Sequence, residues 1–384
     1  MSTVVTNKKS LVKFAPKSED NFYEVMKREV TNYFHNKGIN QHANTTMRWK
    51  TMMMLSLYFV PYFLILSGIA AVNVWIFYSM WLIMGIGIVG IGTGIMHDSN
   101  HGAYSGNKRV NRVLGGLLNF IGGYDRIWRI QHNILHHTYT NLDGLDDDIA
   151  GTILIRMCPH KKHLGIHRFQ HVYAWLLYAL MNLSWVLFKD FKLILRYHKE
   201  GLLKKEKVSL QRALTEVVIF KLFYIGNIIV LPALLSGIPL GQLLFGFLLM
   251  HMVAGLALAC IFQPAHVMET SSFPVPDDHR KMEESWAKHQ LMNTTNFAPG
   301  NRLTTWFTGG LNYQIEHHLF PYICHIHYPG LSPIIKRVAE RYGISYNVQP
   351  TFFKAIIEHG RMLRQLGKKQ PYKSSARMNK QLFI

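Results

Sequence analysis

The chain has 384 residues, 49% of them hydrophobic, yet its formal net charge is +20. That combination is unusual for one soluble domain and suits a membrane protein whose basic segments all lie on one side. Cys158, Cys260 and Cys324 form no close pair and no Cys-x-x-Cys. They argue for neither a disulfide framework nor a thiolate metal site, and a reducing compartment is compatible.

Residues 1–50 carry nine Lys or Arg and no long apolar run, so no cleavable signal peptide is expected. They read as a cytosolic lead-in containing an amphipathic helix over Asp20 to Phe34. From Met52 to Met96 there is no charged residue. At ~1.5 Å per residue this stretch is long enough for two crossings of a ~30 Å apolar core. Asn73 and Trp75 suit a tight turn, giving a hairpin over roughly 51–72 and 75–96. From Gly102 to Gln170 the chain is polar and basic, interrupted at Val113–Gly123 by an apolar run too short to span. That run belongs at the interface or against the catalytic face. The same region holds the acidic run Asp143-Gly-Leu-Asp-Asp-Asp148.

Three further apolar runs follow, Val172–Phe188, Leu214–Leu235 and Leu240–Phe262. A basic amphipathic stretch with eight Lys or Arg, Lys189 to Arg212, separates the first two. Nothing from Gln263 to Ile384 is long and apolar enough to span, and the last dozen residues read as a loose basic tail.

Histidines cluster beside these runs. His97 and His101 are four apart, hence on one helix face. His132 and His136 repeat that spacing, with His137 adjacent. Gln314, His317 and His318 form a third cluster, and His266 follows the last apolar run. Eight imidazoles are enough for two metal ions with about four nitrogen ligands each. His251 lies fifteen residues before His266 on one helix, about 22 Å away by helical rise, and cannot share the site. His160, His163, His167 and His171 read as a basic interfacial helix, and His325 and His327 as groups outside the ligand set.

The clusters meet only if they lie on one side, which requires an even number of crossings between His137 and His317. Of the three runs between them, Val172–Phe188 is the shortest and is assigned as interfacial or re-entrant. Four transmembrane helices then leave both termini on one side. Apart from Lys221, every Lys and Arg lies there too, which makes that side cytosolic. The expected fold is an all-α integral membrane protein whose helical cytosolic cap carries the histidines. Its parts are residues 1–50, a transmembrane hairpin 51–96, a cytosolic region 97–212 with an interfacial helix at 172–188, a second hairpin 213–263, and a cytosolic region 264–384. No nucleic-acid partner is indicated.

His97-Asp-Ser-Asn-His101, His132-x-x-x-His-His137 and Gln314-x-x-His-His318 resemble the three histidine boxes of membrane fatty acid desaturases. The flanking Thr138-Tyr-Thr-Asn141, Gln263-x-x-His-Val-x-Glu269 and His327-Tyr-Pro329 fit as well, and the likeness covers about residues 50–350. Gln314 in place of the first histidine of the third box resembles the front-end, delta-6-type subclass. The resemblance implies two non-haem iron ions held by His97, His101, His132, His136, His137, His266, His317 and His318. Gln314 then reaches the metal through water or orients a ligand, and Asp98, Glu269 and Glu316 are candidates to orient ligand imidazoles. It implies O2 as co-substrate, a fatty acyl chain on CoA or phospholipid, and a cis double bond as product. Localisation is the bacterial inner membrane or the endoplasmic reticulum. No His-Pro-Gly-Gly haem motif occurs, so electrons are expected from a separate ferredoxin, flavodoxin or cytochrome b5. The rival readings are a hydroxylase on the same scaffold and a histidine-rich metal transporter. The second is disfavoured because no ladder of polar residues crosses the spans.

Overall fold

A computed structural model describes residues 12–16, 21–150 and 152–369. Asp20 and the expected basic tail lie outside the described residues. The structure is mostly helical, and five of its helices are long and apolar enough to cross a membrane: α2 (Thr45–Leu66), α3 (Val74–Asn100), α4 (Gly165–Lys199), α5 (Leu210–Leu235) and α6 (Leu240–His266). The amphipathic helix of the lead-in, α1, runs Phe22–Lys37 and stops at Gly38, whose φ of 59° suits glycine.

Asn73 ends the turn of the first hairpin. Its side chain accepts from the N–H groups of Trp75 and Ile76 at 2.8 and 3.3 Å, which starts α3. The arms approach so closely that a Cβ at Gly90 would lie 2.0 Å from Met54 Sδ. α6 packs on the other side of α3, with Gly246 against the indole of Trp81.

α4 was expected to be a short apolar run followed by a separate basic stretch. It is instead one helix, with a π-helical turn at Trp185–Lys189. Its first half runs antiparallel to α6. Gly255 faces the carbonyls of Tyr178 and Ala179, and Asn182 bonds His251 at 2.9 Å. Beyond the π turn the helix packs on α5. Asp190 meets Lys221 at 2.6 Å, Ile194 and Tyr197 share a buried cluster with Ala213 and Val217, and the Tyr197 hydroxyl donates to Asp147 at 2.6 Å.

The apolar interruption at Val113–Gly123 forms the short helices Lys108–Gly115 and Leu117–Phe120, and it packs under the histidines. The C-terminal region adds α7 (Tyr328–Arg341) and α8 (Phe352–Leu366). It also contains one departure from an all-α chain, a two-stranded parallel sheet pairing Asn296 with Val348 and Phe297 with Gln349.

Candidate metal centre

Local backbone geometry aims each box inward. A π-helical turn at Ile91–Met96 leads into His97, and another at Ile130–His136 carries the second box. Widened turns of this kind concentrate at functional sites. The third box is the short helix Gln314–Leu319, entered through Gly309 and Gly310 at φ 63° and 72°. A Cβ at Gly309 would lie 2.5 Å from the carbonyl oxygen of Thr93 in α3, so only glycine lets the segment sit this close.

All eight predicted histidines come together. One ligand nitrogen each from His97, His101, His132 and His317 lie within 4.8 Å of one another, and His136, His266 and His318 form a second such group. His137 joins His317 and His318 in a third that links the two. His97 Nε2 and His132 Nε2 stand 3.1 Å apart, and His137 Nε2 is 3.2 Å from the same atom. The Nε2 atoms of His101, His136, His317 and His318 are buried without a hydrogen-bond partner among the described residues. So many orphaned imidazole nitrogens facing one another would be costly unless a cation sat between them. The donor set therefore fits a metal with all-nitrogen ligation. Gln314 bonds His266 Nε2 at 2.8 Å, and its own Oε1 is also buried and unpartnered.

The outward nitrogens are held. His132 Nδ1 lies 2.8 Å from Asp148, His136 Nδ1 3.0 Å from Asp146, and His318 Nδ1 2.8 Å from Gln290 Oε1. His317 Nδ1 lies 3.3 Å from the Tyr328 hydroxyl, and His266 Nδ1 3.4 Å from the Asn293 carbonyl. Such contacts set the tautomer and present Nε2 to a metal. The acidic run after the second box thus supplies the orienting carboxylates. Sequence reasoning saw the run but assigned it no role, and no signal pointed to Gln290.

Of the three carboxylates proposed from sequence, Glu269 and Glu316 behave otherwise and Asp98 stands beside His97. Glu269 accepts from Gln365. Glu316 faces away from the cluster, accepting from Tyr346 at 2.5 Å and Asn296 at 2.7 Å. Asp98 bonds His325 Nδ1 at 2.8 Å and stands 3.8 Å from His97 Nδ1. His325 joins Asp98 to the ammonium of Lys50, at 2.8 Å. His251 sits apart, between Tyr224 and Asn182. His160, His163 and His167 bond backbone carbonyls, as structural residues do.

Electrostatics keeps most of the cluster ready for metal. Burial, then the neighbouring imidazoles, hold His101, His137, His317 and His318 well below the ordinary histidine pKa. His132 is lowered to about 3, by burial that outweighs Asp148. Neutral imidazoles are the form that ligates. His136 goes the other way: burial lowers it, but Asp146 and Asp148 more than offset this.

A cavity opens beneath His132, His136 and His266. Its walls are Ile88, Gly92 and Met96 of α3, Leu118 and Ile121, Trp128, and Leu258, Ala259 and Phe262 of α6. Met181 and Asn182 line it from α4. Mostly apolar, it can hold a long hydrocarbon and keep water from the imidazoles.

Membrane-length helices, a buried polyhistidine cluster and an apolar cavity beneath it define an integral membrane protein built to handle an apolar chain at a metal-binding site. The chain belongs to the fatty acid desaturase family, whose family model matches residues 73–350. It is 37% identical over 361 residues to the sn-1 linoleoyl-lipid 6-desaturase of Synechocystis sp., covering 93% of this chain and 98% of that one. Identity is 33% to the enzyme of the same name from Arthrospira platensis, over 90% of this chain and 92% of the relative. It is also 33% to the acyl-lipid (8-3)-desaturase of Physcomitrium patens, over 94% and 74%. The protein is an O2-dependent acyl desaturase, an oxidoreductase of a family that uses non-haem iron.

Proposed function

We propose that this desaturase acts on lipid-linked acyl chains with delta-6-type regiochemistry, at a centre of two irons held by His97, His101, His132, His136, His137, His266, His317 and His318. The observation that carries the reading is the mostly apolar cavity beneath His132, His136 and His266, lined by Ile88, Gly92 and Met96 of α3 and by Leu258 and Phe262 of α6, which suits a long acyl chain. The relatives named as linoleoyl-lipid 6-desaturases support the same position and substrate class.

When bound, the irons supply the oxidant that side chains lack, with O2 and two electrons. The residues of this chain do the rest. The cavity walls fix which carbons face the imidazoles and exclude water. Asp146, Asp148, Gln290 and Tyr328 hold the imidazole Nδ1 atoms, so that Nε2 stays turned to the centre. Gln314, with its free buried oxygen, positions His266 or a water.

The meeting of His137 with His317 and His318 supports an even number of crossings between them, hence four in all, with the domain boundaries read from sequence and both termini on one side. The chargeless turns at 67–73 and 236–239 support that side as cytosolic. Electrons come from a separate one-electron carrier. Expression in a host lacking polyunsaturated lipids, with linoleic acid fed, tests the reading. A new double bond at C6, lost in His317→Ala, is expected. A double bond elsewhere, or a hydroxylated chain with no added unsaturation, would refute it.

A further inference from the structure

We infer that Trp286, paired with Tyr23, is the point at which electrons enter the metal centre from an acidic one-electron carrier protein. The inference rests on the proposal that His137 and His318 are iron ligands. Trp286 opens the helix Trp286–Asn293, and its indole N–H donates to the backbone carbonyl of His137 at 3.0 Å. Tyr23, on α1, meets that indole edge-on with centroids 5.5 Å apart, and its hydroxyl donates at 3.0 Å to the carbonyl of Leu319, the neighbour of His318. One aromatic pair is thus bonded to the backbone of two different boxes. From the indole, the path to the His137 imidazole is one hydrogen bond and the short covalent run through Cα and Cβ.

The same two rings line a surface pocket of about 670 Å³ with Phe14, Phe22 and Ala287. Two other aromatics beside the ligands offer no such outlet. Trp128 stacks on His132 with centroids 4.5 Å apart but lines the apolar cavity, and Tyr328 at His317 is 1% exposed. The one charged residue lining that pocket, Glu24, is paired with Lys27 at 2.8 Å, and the formal charge of +20 on the chain as a whole favours encounter with an acidic partner. At each transfer the carrier loses one electron and one iron is reduced from the ferric to the ferrous state. Two transfers and two protons per turnover balance the removal of two C–H hydrogens by O2, which leaves as two waters.

The test compares reduction of iron-loaded wild type, Trp286→Leu and Trp286→Phe by stopped-flow absorbance, with a reduced plant-type [2Fe–2S] ferredoxin and separately with dithionite. Trp286→Leu is expected to slow reduction by ferredoxin about tenfold, equivalent to about 1.4 kcal/mol of barrier. Reduction by dithionite and iron content should stay unchanged. Trp286→Phe, which keeps a ring but loses the N–H, should fall between. Equal rates with ferredoxin in all three proteins would overturn the inference. So would parallel slowing with both reductants, since that marks a merely structural role. If Trp286→Leu does not fold, Trp286→Phe and Tyr23→Leu carry the same comparison. A wild-type protein that binds no iron would instead overturn the function proposed above.

Discussion

Asp146→Asn and Asp148→Asn separate the two carboxylates that orient the second histidine box. Asp146 is 1% exposed and accepts from His136 Nδ1 at 3.0 and 3.1 Å, from the Asn141 amide at 2.8 Å and from the Asp148 amide at 2.9 Å. An amide there turns an NH2 group toward donors, and no water can compensate. Asp148 accepts from His132 Nδ1 at 2.8 Å, but its side chain is 22% exposed and water can replace part of the contact. Losing a partner of this kind weakens metal binding roughly 10–100-fold. That is about 1.4–2.7 kcal/mol. Burial places Asp146→Asn near 100-fold and Asp148→Asn near tenfold. The assay is equilibrium dialysis of metal-free protein in detergent against buffered Fe(II), with bound iron measured by plasma emission and helicity by circular dichroism. An Asp146→Asn affinity within twofold of wild type, or a larger loss for Asp148→Asn, would refute the reasoning.

The buried Asp190–Lys221 pair pins the end of α4 beyond its π turn to α5. Lys221→Met alone should cost about 3–5 kcal/mol by leaving a carboxylate uncompensated, and Asp190→Leu with Lys221→Met should restore most of it; a thermal-melt double-mutant cycle checks this. Gly92 lines the cavity, so Gly92→Leu should abolish turnover of eighteen-carbon chains while sparing shorter ones, as measured by product chromatography. Burial pushes Glu316 up from the ordinary 4.5 to about 7. Between those values the folded state holds a proton that the unfolded state has released, so stability falls as pH rises through that window. The drop is about 3 kcal/mol, and Glu316→Gln should remove that slope from melts taken between pH 4.5 and 7.

The eight histidines, the first hairpin and the second were legible in the sequence because each rests on a local period. Four-residue spacing puts His97 over His101 and His132 over His136, and an unbroken apolar run declares a span wherever it sits. Parity then assigned Val172–Phe188 as a segment that does not cross, although α4, the helix that holds it, is long and apolar enough to do so. The partners of the ligands were not legible. Asp146 reaches His136 across a loop, and Gln290 reaches His318 from a separate helix 28 residues away. Neither contact has a period to read. Glu316 adjoins His317 in sequence and points away from it, since adjacent residues on a helix face different directions, and Glu269 lies beyond the end of α6 at His266. Sequence alone picked out the histidines that come together and the apolar runs that bring them there. Only tertiary packing decided which carboxylates hold their outward nitrogens and which residues wall the cavity beneath them.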